Sequence, residues 1–82
     1  MIPEKKAEEI AEKAANKEKF PQPALTMRAL KGREWHIEFE SRFDTESFIL
    51  VKIDAESGKV IGIEKGRRED EAPKLGSVLE DE

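Results

Sequence analysis

The sequence predicts an α+β fold in which one N-terminal helix packs on a four-stranded antiparallel meander sheet. Two kinds of periodicity indicate it. An N-terminal stretch repeats apolar residues at helical spacing, and four later stretches read as strands bounded by turn-forming residues. When the strand pairing is worked out from the turns, the apolar side chains of all four strands fall on one face. Such agreement between local pattern and overall architecture favours the assignment.

Length sets the scale of the molecule. At 82 residues, the chain should form one small domain with a narrow stability margin, because a chain this short buries only about 60% of its unfolded surface. We divide it into a folded domain over residues 1–66 and an acidic, flexible tail over residues 67–82, where bulky apolar residues become sparse. The alternative is that this segment docks on the domain as a short helix or an extra strand.

Charge and composition exclude several classes of function. The formal net charge of −4 disfavours a general nucleic-acid-binding protein, because phosphate binding depends on Lys and Arg. The absence of cysteine excludes disulfides and cysteine-based metal sites. No apolar run approaches the length of a membrane span. Met1 and Ile2 lead directly into a charged helix, so no signal peptide is visible and the compartment stays open.

The helix is predicted over Pro3 to Lys17. Proline suits the first helical turn, where its missing N–H group would have no partner in any case. The apolar residues that share one face of this helix are Ala7, Ile10, Ala11 and Ala14. Because this stripe is mostly alanine, the helix can lie close to the sheet but contributes little volume to the core.

The first strand is predicted over Ala24 to Leu30 and the second over Glu34 to Glu40. A two-residue loop between them would place their apolar sets on opposite faces, whereas a three-residue loop brings both sets to one face. We therefore predict a loop of Lys31 to Arg33, or another of the same parity, which pairs Met27 with Ile37.

The C-terminal hairpin, Phe48 to Ile63, has the most informative turn. Glu56, Ser57 and Gly58 are expected to form a three-residue loop with a bulge at the glycine, which adopts a left-handed conformation without steric cost. Since side chains alternate along a strand, this loop places one aliphatic row on the face beneath the helix. The predicted core row comprises Ile49, Val51, Ile53, Ile61 and Ile63.

Pairing Phe39 with Ile49 across the longer loop of residues 41–47 keeps the apolar face continuous. A slip of one residue would expose the isoleucines, so the register is expected to be well specified. The predicted inner rows are Ala29–Trp35–Ile53–Ile61, Met27–Ile37–Val51–Ile63 and Leu25–Phe39–Ile49–Lys65.

Some apolar residues are predicted on the outer face, away from the helix. They are Phe48, Leu50, Val60 and Leu30. Together they could form a partner-binding or dimer patch. Alternatively, the tail or the loop that contains Phe43 covers them, or they are scattered exposed residues.

His36 is the single histidine of the chain, and the predicted pairing places it in an outer row with Arg28 and Lys52. This row could bind a small anion or a carboxylate, although a solvated histidine is the simpler interpretation. A lone histidine among scattered carboxylates lacks the spacing of metal ligands, so neither a metal nor a cofactor is expected.

Acidic residues gather on the second strand and in the loop after it, and paired carboxylates can act in acid–base chemistry. They are Glu38, Glu40, Asp44 and Glu46. No nucleophile or pocket accompanies them in the sequence, so an acidic solvated loop is favoured and no catalytic residue is predicted.

Three stretches of the chain resemble the PepSY family. AEEIAEKAA matches its alanine-rich helix, EWHIEFES its "YEV"-like strand, and FILVKIDAESGKVIGI its terminal V-D-A-x-T-G-x-V hairpin. Ser57 stands where the family usually has threonine, and Trp35 where it often has tyrosine. The resemblance runs from Pro3 to Glu64. It implies a cystatin-like helix on an antiparallel sheet, no catalytic residues, and a role in binding or restraining peptidases.

The sequence therefore predicts a small, non-catalytic protein-binding or regulatory module. The expected partner is another protein, with a peptidase and a second copy of the chain as candidates, and neither nucleic acid nor membrane insertion is expected. Binding would use surface occlusion or strand addition at an edge such as Val60 to Glu64. The alternative is an acidic inhibitor or nucleic-acid mimic that blocks a basic protein partner.

Overall fold

A computed structural model describes residues 1–67 of the chain, which form one helix and four strands. The elements are α1 (Glu4–Lys17), β1 (Pro23–Lys31), β2 (Glu34–Ser41), β3 (Ser47–Asp54) and β4 (Val60–Arg67). The strands are antiparallel neighbours in the order β1-β2-β3-β4, so the predicted helix on a meander sheet is confirmed. Arg67, which we had assigned to the acidic tail, ends β4, and the rest of the predicted tail lies outside the described residues. Within residues 1–67, no helix has the length and apolar character that a membrane span requires.

Helix α1 lies mainly over the two central strands and contacts them through alanine. Its buried residues are Ala7, Ala11, Ala14 and Ala15. Ile10 is partly buried and packs at the border of the core. The volume beneath the helix comes from the sheet, whose fully buried side chains include Ile37, Ile49, Val51 and Ile53. Each buried isoleucine contributes roughly 1.5–3 kcal/mol relative to an exposed one.

The helix ends in a Schellman motif. The Lys19 N–H donates to the Asn16 carbonyl at 2.9 Å, and the Phe20 N–H donates to the Ala15 carbonyl at 3.0 Å. Lys19 takes the left-handed conformation, with φ of 61°, at the position where such motifs usually carry glycine. The motif turns the chain back so that Phe20 is buried at the end of the core.

The pairing of β1 with β2 contains a β-bulge at Thr26 that the sequence analysis did not predict. Leu25 lies opposite Phe39 as expected, but after the bulge Arg28 lies opposite Ile37 and Met27 no longer does. An extra residue in one strand reverses the face of every side chain beyond it. The predicted Met27–Ile37 pair and the Ala29–Trp35 pair are therefore wrong.

The loop between β1 and β2 follows from the same shift. Lys31 lies opposite Glu34, so the loop contains two residues, Gly32 and Arg33, and not the three that we predicted. Gly32 adopts a φ of 64°, a left-handed conformation that suits glycine in such a short connection. The loop is one residue shorter than predicted, and the bulge adds one residue to β1 at Thr26. The two changes cancel, so the predicted pairing holds again at Leu25.

The pairing of β2 with β3 confirms the prediction over its full length. Its helix-facing pairs are Trp35–Ile53, Ile37–Val51 and Phe39–Ile49. These two strands lie in the middle of the sheet under α1, where a slip of one residue would move buried isoleucines to the outer face.

The pairing of β3 with β4 follows the predicted register for most of its length, with Val51 opposite Ile63 and Ile49 opposite Lys65. Near the turn, Ile61 is an extra residue, so that Val60 lies opposite Ile53. The predicted Ile53–Ile61 pair is therefore wrong.

The turn between β3 and β4 is wider than the predicted three residues. The Asp54 N–H donates to the Lys59 carbonyl at 2.8 Å, and the Gly58 N–H donates to the Asp54 carbonyl at 2.8 Å. Gly58 has a φ of 80°, so the predicted left-handed glycine is confirmed.

Candidate interaction surfaces

The structure divides the predicted outer patch between the two faces of the sheet. Leu30 lies opposite Trp35 and Val60 lies opposite Ile53, and both partners belong to the helix-facing rows. The two bulges explain the difference, because each one inserts a residue between the turn and the rest of the pairing. The patch of four residues on one face is therefore wrong as a geometric prediction.

Phe48 and Leu50 remain on the outer face and are both partly buried. The ring of Phe48 lies against Gly66, since a Cβ atom added to that glycine would be 3.1 Å from the ring. Leu50 lies in the row of Glu38, and the bulge brings Met27 into the same row. Met27 was missed because the predicted register placed it in the core. Nothing in the sequence around Met27 indicated the bulge at Thr26, because the neighbouring residues are ordinary strand formers.

The β4 edge, which we define as Val60, Ile61 and Ile63, is an aliphatic surface at the border of the sheet. Ile61 is 52% exposed and Ile63 is 36% exposed, so their predicted place in the core is wrong. A helix is about 10–12 Å wide, whereas strands lie about 4.8 Å apart, so one helix covers little more than two strands. The residues of β1 and β4 that face the helix therefore lie beside it and stay partly exposed.

The same reason leaves Leu25 41% exposed on the opposite lateral strand, β1. The two edges differ in their main chains, however. β1 begins at Pro23, which has no N–H group to donate, and is bulged at Thr26. Both features make an edge a poor template for a further strand. β4 carries no proline over its eight residues. It is bulged too, but its extra residue, Ile61, lies next to the turn, and the pairing from Gly62 to Arg67 is regular.

The predicted row of Arg28, His36 and Lys52 is also wrong in part. His36 lies opposite Lys52, as predicted, but Arg28 lies opposite Ile37 and reaches the helix instead. Its Nε atom is 2.5 Å from Glu4 Oε2, and its Nη1 atom is 2.7 Å from Glu8 Oε2. Arg28 therefore joins β1 to α1.

His36 and Lys52 each have a carboxylate partner. His36 Nε2 is 3.0 Å from Glu34 Oε1, and Lys52 Nζ is 2.9 Å from Glu64 Oε2. The hydrogen bond and charge of Glu64 raise the pKa of Lys52 above its usual value. An anion bound here would compete with both carboxylates, so the anion site stays a prediction that now rests on two residues. Over residues 1–67, no group of three or more His, Asp or Glu side chains is arranged to hold a metal ion.

An open cavity of about 470 Å³ lies at the end of the sheet where α1, β2 and β4 end. Three phenyl rings line it, those of Phe20, Phe43 and Phe48. Phe43 is 76% exposed. Sequence analysis missed this convergence because the three residues belong to different elements and share no periodicity.

Two ion pairs lie at the border of the cavity. Lys65 Nζ is 3.1 Å from Glu18 Oε1, which joins β4 to the end of α1. Arg67 pairs with Asp44 in the loop between β2 and β3. Its hydrogen bond is the main reason why the pKa of Asp44 is below its ordinary value. Asp44, one of the clustered carboxylates of the sequence analysis, is thus part of the loop structure.

One family model matches the chain, and its description is peptidase propeptide and YPEB domain, PepSY. The match covers residues 1–64, which include α1, the first three strands and the first part of β4. The comparisons with curated proteins and with solved structures gave no significant match.

Proposed function

Because the chain belongs to the PepSY family, we propose that it is a non-catalytic regulatory module that binds another protein, and that this partner is a peptidase. PepSY domains are generally non-catalytic, and the family description associates them with peptidase propeptides. The proposed module acts by contact alone, since covering part of a peptidase surface requires no chemistry from the covering protein.

The observation that carries the proposal is the β4 edge. β4 is the last strand of the sheet formed by the described residues. Its aliphatic side chains are exposed beside its outward main-chain groups. An extended segment of a partner added here would form main-chain hydrogen bonds and bury Ile61 and Ile63 in the same step. Full burial of these partly exposed side chains would contribute about 1 kcal/mol each.

A second candidate is an acidic inhibitor or nucleic-acid mimic that blocks a basic protein. The distribution of charge bears on it. Arg68, Lys74 and six of the 19 acidic residues follow position 67, so residues 1–67 retain 13 of the 15 basic residues and 13 acidic residues. The net charge of −4 thus belongs to residues 68–82, so the long-range attraction of an acidic mimic to a basic partner would come mainly from that segment.

The test measures binding of the chain to a peptidase recovered with it from a lysate of the source organism. Replacing Ile61 and Ile63 by serine should weaken the affinity roughly 10–30-fold and relieve any restraint of the peptidase. Leu25→Ser is the matched control, because Leu25 is similarly exposed on the other lateral strand. It should stay within about threefold of the unmodified chain, as surface substitutions outside an interface change free energies by about 0.5 kcal/mol.

Salt separates the two candidates. Binding through the β4 edge should change little as ionic strength rises, whereas binding of an acidic mimic should weaken steeply. Replacing Phe48 and Leu50 by serine in parallel tests the outer face. If that pair weakened binding more than the β4-edge pair did, the proposed edge would be the wrong surface.

A further inference from the structure

We propose that the open cavity at the end of the sheet is the docking site of the chain's own C-terminal segment, with Leu75, Val78 and Leu79 as the side chains that enter it. This inference does not depend on the β4 edge or on a peptidase partner.

The first argument is the apolar surface that the cavity presents. Phe20, Phe43 and Phe48 come from the end of the helix, a loop and the start of β3, and they converge on one depression. Its volume of about 470 Å³ lies within the range of roughly 300–1,000 Å³ that is usual for binding sites of small molecules. Phe43 is 76% exposed, and its ring shares this depression with two other phenylalanines. A contiguous apolar surface of this kind, unlike a single exposed residue, is typical of a binding site.

The second argument is where the chain goes next. Arg67 lines the cavity and is the last described residue, so the following segment of 15 residues starts at its border. The bulky apolar residues of that segment fall within five consecutive positions, 75–79. The eight steps along the chain from Arg67 to Leu75 can extend to at most about 26–29 Å, which is ample for a return to a cavity that Arg67 itself lines.

The third argument is charge. Residues 68–82 carry the whole net negative charge of the chain. The cavity is lined by Lys19, Lys65 and Arg67 against two carboxylates, Glu18 and Asp44. This small positive excess favours an acidic segment over a basic one, and the attraction is screened at high salt.

The experiment uses the full chain, which has no cysteine and so accepts a single spin label at Ser77→Cys. Intensities of the backbone amide NMR signals are compared with the nitroxide oxidised and reduced. The amides of Phe20 and Phe43 should lose most of their intensity. Those of Gly32 and Glu56, at the opposite end of the sheet, should keep it.

A control separates docking from mere tethering near Arg67. In the labelled chain, replacing Leu75 and Leu79 by serine should restore most of the intensity at Phe43. Replacing Lys74 and Glu80 by serine, which removes one charge of each sign, should not. Unchanged broadening in the Leu75/Leu79 variant would overturn the proposal, as would broadening centred on Leu50 and Met27.

A second copy of the chain is the other occupant to test. Spin-labelled chains without ¹⁵N are mixed with ¹⁵N-labelled chains that carry no nitroxide. Intrachain docking predicts no broadening in this mixture. Broadening of Phe43 there would show that the segment comes from another molecule and would overturn the intrachain proposal.

Discussion

Two loops of the sheet are closed by the same arrangement, an aspartate whose carboxylate accepts hydrogen bonds from the next residues of the chain. Asp44 accepts from the Glu46 N–H at 3.1 Å and from the Ser47 hydroxyl at 3.0 Å. The second loop repeats this pattern ten positions later. There Asp54 accepts from the Glu56 N–H at 3.2 Å and from the Ser57 hydroxyl at 2.9 Å. Such turns are typical of aspartate, whose short side chain reaches the backbone two residues on. The repeated Asp-x-Glu-Ser pattern was visible in the sequence, and it would have identified both loops.

At the residue scale, Lys19→Gly should stabilise the protein by about 0.5–1 kcal/mol. A left-handed conformation costs a non-glycine residue about 1–2 kcal/mol, and the greater flexibility of glycine in the unfolded chain offsets part of this gain. The free energy of unfolding in urea measures the effect. Lys17→Gly is the control, because Lys17 lies inside the last helical turn, and there glycine should destabilise by about 0.5–1 kcal/mol. Equal destabilisation by both substitutions would contradict the cap assignment.

At the scale of elements, the width of one helix decides which strands contribute to the core. α1 lies over β2 and β3, and the helix-side residues of β1 and β4 lie at its margins. The N-terminal residues add a further tie, as the Ile2 N–H donates to the Ala55 carbonyl at 2.7 Å. The Trp35 indole in turn donates to the Ile2 carbonyl at 3.2 Å. The helix is therefore anchored at its start to the β3–β4 turn and at its end by Phe20, which the Schellman motif turns into the core.

This arrangement predicts unequal costs for two isoleucines that the sequence analysis treated alike. Ile53→Ala should destabilise the protein by about 2–5 kcal/mol, because it leaves a cavity under the helix. Ile61→Ala should cost less than about 1 kcal/mol, because its side chain is half exposed. Urea unfolding followed by the fluorescence of Trp35, the single tryptophan, measures both. Comparable losses in the two variants would contradict the division of the core.

At the scale of the whole molecule, pH should act on stability through carboxylates that are hydrogen-bonded in the folded state. Arg67 lowers the pKa of Asp44, Ser57 lowers that of Asp54, and Lys52 lowers that of Glu64. A carboxyl whose pKa is lower in the folded state contributes stability above its unfolded value. That stability is lost as pH falls through the folded value.

The free energy of unfolding should therefore be steady near neutral pH. It should decline as pH falls below the ordinary carboxyl values of 3.8 for aspartate and 4.5 for glutamate. A variant with Asp44→Asn, Asp54→Asn and Glu64→Gln should be less stable near neutral pH and should lose less on acidification. Urea unfolding at a series of pH values tests this, and parallel curves for the two proteins would show that these carboxylates carry none of the acid sensitivity.

Part of the candidate site was predictable and part was not. The place of Val60 to Glu64 at the border of the sheet was predictable, because the last strand of a meander lies there. Strand addition at this edge stays a prediction. The exposure of Ile61 and Ile63 was not predictable from alternation, which tells which face a residue occupies and says nothing of what covers that face. The cavity and its three phenylalanines depend on how distant segments meet, and no local pattern records that.

The sequence by itself determined the order of the elements, the alanine face of the helix, the left-handed Gly58 and the register of the two central strands. These follow from local periodicity, turn chemistry and the cost of exposing a row of isoleucines. Only the tertiary structure decided the bulges at Thr26 and Ile61 and the coverage of each strand. A bulge adds one residue to an otherwise regular alternation, and its position depends on the partner strand. Coverage depends on the width of the helix relative to the sheet, and this is why an aliphatic row predicted to be buried extends to the exposed side chains of Ile61 and Ile63.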